Sequence, residues 1–173
     1  MGSFVIDPAD AETVAAQLGR PPRGQYAVAH RCRCGRPDVV QTAPRLPDGT
    51  PFPTLYYLTC PRASAAAGRL EAGGVMTAMT ARLAADEDLG RAYRAAHQDY
   101  LARRGDAARA CGVEPLPAGT QSAGGMPARV KCLHALMAHE LAVPGVNPLG
   151  REALDSAGEW WADGPCVPGP DEA

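Results

Sequence analysis

Hydrophobic and polar positions divide the chain into a strand-like part and a helical part. Three stretches are rich in β-branched and aromatic residues or alternate between apolar and polar residues, as strands do. They cover residues 25–32, 39–46 and 54–60. The Asp48-Gly49 pair and three prolines between the second and third stretches favour a wide, rigid connection. The three stretches therefore predict a small antiparallel sheet.

Helical spacing dominates the rest of the chain. Asp7 as a cap, Pro8 at the first helical position and acidic residues in the first turn predict a short helix over 7–18. After Pro61 the apolar residues recur at helical spacing, with a break at Gly73-Gly74. Further helices are predicted over 87–104, over about 127–142 and within 147–160. The order of helix, strands and helices predicts an α+β fold, with a small antiparallel sheet of about three strands packed against several α-helices.

The length of 173 residues is typical of one domain with a substantial core. We predict a single α+β domain over residues 1–161 and a flexible C-terminal tail over residues 162–173. Residues 105–126 are rich in glycine and proline and are predicted to form a long loop.

Charge and hydropathy exclude some function classes. A net charge of −2 argues against a general nucleic-acid binder, because such proteins usually carry a basic excess. No stretch approaches the roughly 20 apolar residues of a membrane span. The N-terminal residues do not have the pattern of a secretory signal, so we expect a cytoplasmic protein with reduced thiols.

Cysteine and histidine are concentrated in RVKCLHALMAHEL, residues 129–141. If the whole stretch is helical, Cys132 and His139 lie on nearly the same face and His134 points to the opposite side. Seven residues rise about 10 Å along a helix, which is too far for two residues to share one zinc ion easily. The stretch is therefore not a complete metal site, and any metal at Cys132 needs ligands from other segments.

Other cysteines lie where predicted strands end. Cys32 and Cys34 follow the first strand, and Cys60 ends the third. A helix packed against that end of the sheet would bring Cys132 to them, which suits zinc or an iron–sulfur cluster. The fourth ligand would be His134, His139, His30 or Cys34. The alternatives are that these cysteines are buried packing residues or that one is a catalytic thiol.

A second candidate site is an anion pocket in SAGGMPARVK, residues 122–131. Gly124 and Gly125 lead into the predicted helix, whose free N–H groups could bind phosphate or carboxylate. Arg129 and Lys131 add positive charge. The order of residues in a P-loop is absent, and the alternative is a tight loop that simply needs glycine.

Several blocks resemble a known family. LPDGTPFPTLYYLTCP, GGMPARVKCLHALMAH and GVNPLG are similar to the signature segments of the bacterial family called domain of unknown function 501. The resemblance covers roughly residues 19–150 and implies no established activity. The segments that define the family include the regions of Cys32, Cys60 and Cys132, which implies that these residues form one site. Gene neighbourhoods in related bacteria imply a link to cell division or phosphate metabolism.

Two function hypotheses follow. In the first, zinc or an iron–sulfur cluster is held by Cys32, Cys60, Cys132 and one further ligand, with a small anionic molecule bound nearby. In the second, the chain is a non-enzymatic interaction module that binds a protein of the cell-division or envelope machinery. Four protein ligands would indicate a structural metal ion. Three would indicate a catalytic ion with its fourth position open to water or substrate.

Overall fold

A computed structural model describes residues 4–169 of the chain. The sheet is built from β1 (Tyr26–Arg31), β2 (Pro37–Thr42) and β3 (Tyr56–Leu58). The helices in this part of the chain are α1 (Pro8–Leu18), α2 (Pro61–Ala72), α3 (Val75–Ala85), α4 (Glu87–Cys111), α5 (Leu133–Ala142) and α6 (Pro148–Ala157).

The sheet is antiparallel with the order β1-β2-β3, which confirms the predicted α+β class. Val28 pairs with Val40, and Val40 pairs with Tyr57 on its other side. The register between β1 and β2 is irregular around His30. β2 is the central strand and is buried along most of its length, whereas β1 is only partly buried. α5 packs most extensively against α6, and among the strands it packs mainly against β3.

Local capping explains where α1 begins and ends. The Asp7 carboxylate accepts a hydrogen bond from the N–H of Ala9 at 2.9 Å, and Pro8 occupies the first turn. Gly19 ends the helix in the left-handed region with φ of 72°. The predicted break between α2 and α3 at Gly73-Gly74 is also present.

α4 is longer than predicted and continues to Cys111, so the prediction of a loop from 105 is wrong for its first part. Arg104, the last residue of the predicted helix, lies inside α4. Its side chain is buried and donates hydrogen bonds to the carbonyl oxygens of Pro53, Thr120 and Gln121 at 3.1, 3.1 and 2.5 Å. It ties the loop after the helix to the body of the domain.

α5 begins at Leu133 rather than near 127, so the predicted start is also wrong. The N–H of Val130 donates to the Thr80 hydroxyl at 3.0 Å, and the N–H of Leu133 donates to the Glu71 carboxylate at 2.7 Å. These contacts with α2 and α3 fix an irregular backbone before Leu133. Cys132 is the N-cap residue, with extended φ and ψ of −153° and 109°.

α5 and α6 cross at Gly150. A Cβ atom at that position would lie 2.3 Å from the carbonyl oxygen of Leu136, so the close approach of the two helices requires glycine. The buried carboxylate of Glu140 accepts hydrogen bonds from three N–H groups of the turn between these helices. The donors are Gly145, Val146 and Asn147, at 2.7, 3.1 and 2.8 Å.

The described part of the predicted tail, residues 162–169, contacts the domain at several points. Arg62 donates a hydrogen bond to the carbonyl oxygen of Gly164 at 2.7 Å. Gln17 donates to the sulfur of Cys166 at 3.3 Å. The last part of the predicted tail, residues 170–173, lies outside the described residues, as do residues 1–3 at the other end.

Candidate metal centre

Three side chains that could hold a metal ion come together where α2 ends and α5 begins. One oxygen of Glu71, the sulfur of Cys132 and one ring nitrogen of His134 lie within 4.8 Å of one another. Within residues 4–169, this is the one group of three or more histidine, cysteine or acidic side chains with that geometry. We call Glu71, Cys132 and His134 the metal group, and its members come from two segments that are distant in the sequence.

The arrangement depends on the backbone before α5. Cys132 is extended, so Cys132 and His134 do not follow the helical spacing assumed for the sequence. Oε1 of Glu71, near the end of α2, accepts the N–H of Leu133 and also lies 3.0 Å from Nδ1 of His134. Glu71 therefore both caps α5 and fixes the direction of the histidine ring.

Burial raises the pKa of the Cys132 thiol, and the charge of Glu71 also raises it. The thiol is thus protonated in the metal-free protein at neutral pH. A bound zinc ion would replace that proton, because cysteine ligates zinc as the thiolate.

The donor set suits zinc better than an iron–sulfur cluster. Thiolate sulfur, imidazole nitrogen and carboxylate oxygen are the usual ligands of zinc, and catalytic zinc sites commonly have three protein ligands. Iron–sulfur clusters are held mainly by several cysteine thiolates, whereas this group offers one.

A cavity of about 460 Å³ opens directly at this group. We call it the β3 groove, and it is lined by Thr54, Tyr56, Tyr57, Leu58, Ser64, Cys132, His134 and Ala135. Two of the three metal-ligating side chains thus form part of its wall. Its lining contains neither lysine nor arginine.

Within residues 4–169, Cys32, Cys60 and Cys132 do not form a group with this geometry. β1 and β3 both end at the same end of the sheet, as expected, but β2 lies between them. Two strand spacings separate β1 from β3 by about 10 Å, which is too far for Cys32 and Cys60 to share one metal ion.

Each remaining predicted cysteine has a different neighbour. Cys32 is buried beside Cys34, and burial raises its pKa to about 11. Cys60 is buried at the start of α2 and forms a hydrogen bond with Cys166. That hydrogen bond lowers the pKa of Cys166 to about 6.

His139 lies in the core, away from the metal group. Its side chain is 0% exposed and stacks on Tyr56, with ring centroids 5.8 Å apart. Nε2 lies 3.2 Å from the Asp99 carboxylate, and Nδ1 lies 3.3 Å from the Asn147 amide. Burial lowers its pKa, and both nitrogens have partners within the protein.

His30, considered as a spare ligand, is part of a second cluster. Its Nδ1 lies 2.7 Å from Oδ1 of Asp38, which is fully buried. The pair borders a separate cavity of about 420 Å³, together with Cys32 and the adjacent residues Trp160 and Trp161. Asp38 and His30 do not belong to a three-residue metal group within residues 4–169.

The predicted anion-binding residues form a tight loop instead of a helix start. The N–H of Lys131 donates to the Gly124 carbonyl oxygen at 2.7 Å, and that of Arg129 donates to Gly125 at 3.1 Å. A Cβ at Gly124 would lie 2.5 Å from a methyl carbon of Leu136, and one at Gly125 would lie 2.6 Å from the Arg129 carbonyl oxygen. The glycines are needed for space, and these two N–H groups already have acceptors.

Glu71 is the member of this candidate site that sequence reasoning missed. It lies in the last turn of a helix, where the helix dipole disfavours negative charge. An acidic side chain at such a position, ahead of the Gly73-Gly74 break, was the available signal.

Comparison with known proteins gives a family but no activity. A family model described as "Protein of unknown function (DUF501)" matches residues 28–155, which include the metal group and all residues that line the β3 groove. No curated protein and no solved structure matches the chain. Within the described residues, none of the helices has the length and apolar character required to cross a membrane.

Proposed function

The chain belongs to the DUF501 family, and from that premise we propose that it is a zinc-dependent hydrolase whose ion is held by Glu71, Cys132 and His134. The observation that carries this proposal is the meeting of three zinc-type donor atoms within 4.8 Å at the wall of the β3 groove. Three protein ligands leave one tetrahedral position for water or substrate.

Zinc held by these residues would supply a nucleophile at neutral pH and would polarise a carbonyl oxygen. The protein contributes the rest of the site. Glu71 is hydrogen-bonded to both the α5 backbone and His134, so the side chains that would hold zinc are oriented before the ion binds. The groove holds the group to be hydrolysed beside the open position.

The substrate proposed here differs from the anionic one expected from the sequence. The residues that line the β3 groove include no lysine or arginine, and Arg129 and Lys131 are not among them. A phosphate or carboxylate entering the groove would lose its water without gaining an opposite charge, apart from zinc itself. An uncharged carbonyl compound fits the groove better.

Metal titration of the full chain tests the proposal. Zinc-free protein should take up about one zinc ion per chain, and cobalt in its place should give the strong absorption of a thiolate ligand in a tetrahedral site. Cys132→Ser and His134→Ala should each weaken zinc affinity more than the 10–100-fold typical of losing an outer-shell partner.

Matched cysteine variants give the controls. Cys111→Ser should bind zinc like the unchanged protein, and so should Cys32→Ser and Cys60→Ser. If Cys32→Ser and Cys60→Ser weaken zinc affinity as Cys132→Ser does, the three-segment cysteine site is correct instead. Equal zinc affinity for Cys132→Ser and the unchanged protein would refute the proposed centre.

A second candidate is the interaction module predicted from the sequence. Tyr57 is 41% exposed and borders another cavity of about 320 Å³ with Phe52, Leu46 and Val40. Exposed aromatic residues beside apolar clefts often bind protein partners. This function would need no zinc, so a folded protein without zinc affinity would favour it.

A further inference from the structure

Among residues 4–169, one backbone edge of β3 has no neighbouring strand, because β3 is the last strand in the order β1-β2-β3. On the other edge, the Leu55 carbonyl accepts the N–H of Thr42, and the N–H of Thr59 donates to the Asp38 carbonyl, both at 2.8 Å. Hydrogen-bonded residues alternate along an antiparallel strand. Leu55, Tyr57 and Thr59 are therefore directed to β2.

It follows that Tyr56 and Leu58 direct their backbone groups away from β2. The N–H of Tyr56 interacts with the hydroxyl of Tyr100, which also accepts the N–H of Leu55. By the same alternation, the carbonyl of Tyr56 and both backbone groups of Leu58 face the outer edge of the strand. These three groups are spaced as they would be for pairing with one more strand.

The β3 groove runs along this edge. Tyr56, Tyr57 and Leu58 all line it, although their side chains alternate between the two faces, with exposures of 5%, 41% and 6%. A cavity over one face of a sheet would contact only alternate residues. Because this one contacts three consecutive residues, it follows the edge of the strand.

The chemistry of the groove suits an extended peptide. Its lining offers hydroxyl groups and apolar surface and includes no lysine, arginine, aspartate or glutamate. An added strand would satisfy the outer groups of Tyr56 and Leu58 through its own N–H and C=O groups. The groove continues to Cys132 and His134, so one end of such a strand lies beside the metal group.

We propose that the β3 groove binds an uncharged, extended peptide segment as a strand paired with β3, with a peptide carbonyl at the open position of the zinc site. This inference rests on the proposed zinc centre and names its substrate class as peptides. Hydrolysis then breaks the C–N bond of that peptide group. The hydroxyl of water goes to the carbonyl carbon and its proton goes to the leaving amine, with no other reactant.

A phage-displayed library of random heptapeptides, panned on the zinc-loaded full chain, tests the proposal. Ala135→Arg places a long charged side chain in the groove on α5, and Ser64→Arg does so from α2. Ala81→Arg, on the exposed surface of α3, is the matched control. The unchanged protein and the control should enrich peptides with uncharged centres, and both groove variants should not. Circular dichroism confirms that each variant is folded.

The best peptide is then synthesised in two forms, each N-methylated at one set of alternate residues. One form should bind at least about tenfold more weakly than the other, because only one set of N–H groups faces β3, and tenfold corresponds to about 1.4 kcal/mol. Equal affinities would overturn strand pairing. Enrichment on the groove variants equal to that on the unchanged protein would overturn the groove as the site.

Zinc content is measured on every sample, so the two proposals can fail separately. Zinc affinity that depends on Cys132, without any enriched peptide, would overturn peptide binding and leave the zinc centre standing. A peptide that binds equally well to zinc-free protein would overturn the carbonyl–zinc contact. Concentration-dependent dimers that Ala135→Arg abolishes would also overturn the proposal, since a second copy of the chain would then occupy the groove.

Discussion

Gly150→Ala tests whether the α5–α6 crossing holds the candidate metal centre in place. An added Cβ would lie 2.3 Å from the Leu136 carbonyl oxygen, 2.9 Å from its carbon and 3.0 Å from Cβ of Glu140. The two closest atoms belong to the α5 backbone and the third is a Cβ, so no side-chain rotation relieves the contact. The helices would have to separate by about 1 Å to restore ordinary contact distances.

The size of the effect follows from two opposing contributions. Overpacking a close contact costs about 1–3 kcal/mol, and a rigid backbone neighbour favours the upper end. The higher helix propensity of alanine stabilises the folded state by about 1 kcal/mol relative to glycine. We expect a net loss of about 2 kcal/mol, which lowers the Tm by roughly 4–8 °C in a domain of this size.

Urea and thermal unfolding followed by circular dichroism measure this loss. The matched control is Gly68→Ala in α2, where an added Cβ meets nothing within 4 Å, so stability should rise by about 0.5–1 kcal/mol. Gly150→Ala should also weaken zinc binding, because α5 carries His134. A Gly150→Ala protein as stable as Gly68→Ala would refute the reasoning.

Three further predictions concern other buried groups. Glu140→Gln removes the carboxylate that accepts hydrogen bonds from three backbone N–H groups, and it should lower the free energy of urea unfolding by about 3 kcal/mol. The control Glu152→Gln, at a half-exposed ion pair, should lower it by less than about 1 kcal/mol. Equal losses of stability in the two variants would contradict the role of the buried carboxylate. Burial lowers the pKa of both His97 and His139. Below the ordinary histidine pKa of about 6.5, the unfolded chain therefore binds more protons than the folded chain. The free energy of unfolding should therefore be highest above that pH and should fall toward pH 5, by at most about 1.4 kcal/mol per pH unit for each histidine. A free energy of unfolding that stays constant from pH 7.5 to 5.5 would contradict this prediction. The hydrogen bond from Cys60 lowers the pKa of Cys166 to about 6, while burial raises that of Cys32 to about 11, so iodoacetamide at pH 7 should label Cys166 well before Cys32 in peptide mass spectrometry.

Much of the secondary structure could be predicted because its signals are local. The Asp7 cap, Pro8 and Gly19 fix α1 from within a few residues, and Gly73-Gly74 separates α2 from α3. The strand-like composition of three stretches predicted the antiparallel sheet, and the order of elements predicted the α+β class. Membership of the DUF501 family was also visible in short blocks of sequence.

The helix ends that could not be predicted depend on contacts between distant segments. Arg104 reads as a solvated helix end, but carbonyl groups from two other loops accept its hydrogen bonds and keep α4 helical to Cys111. Periodicity extended α5 to residue 127, whereas Glu71 accepts the N–H of Leu133 and sets the start there. A buried charge or N–H group needs a partner, and periodicity does not tell which distant residue supplies it.

The candidate centre shows the same division. The sequence by itself indicated that any metal at Cys132 would need ligands from other segments, because one helix cannot supply them all. Only the tertiary structure decided which ones, because β2 keeps Cys32 about two strand spacings from β3 and His139 packs into the core. The extended backbone at Cys132 then directs its thiol to His134 and to Glu71, a residue 61 positions earlier in the sequence. Ligand geometry depends on backbone conformation and chain packing, which the spacing of residues does not specify.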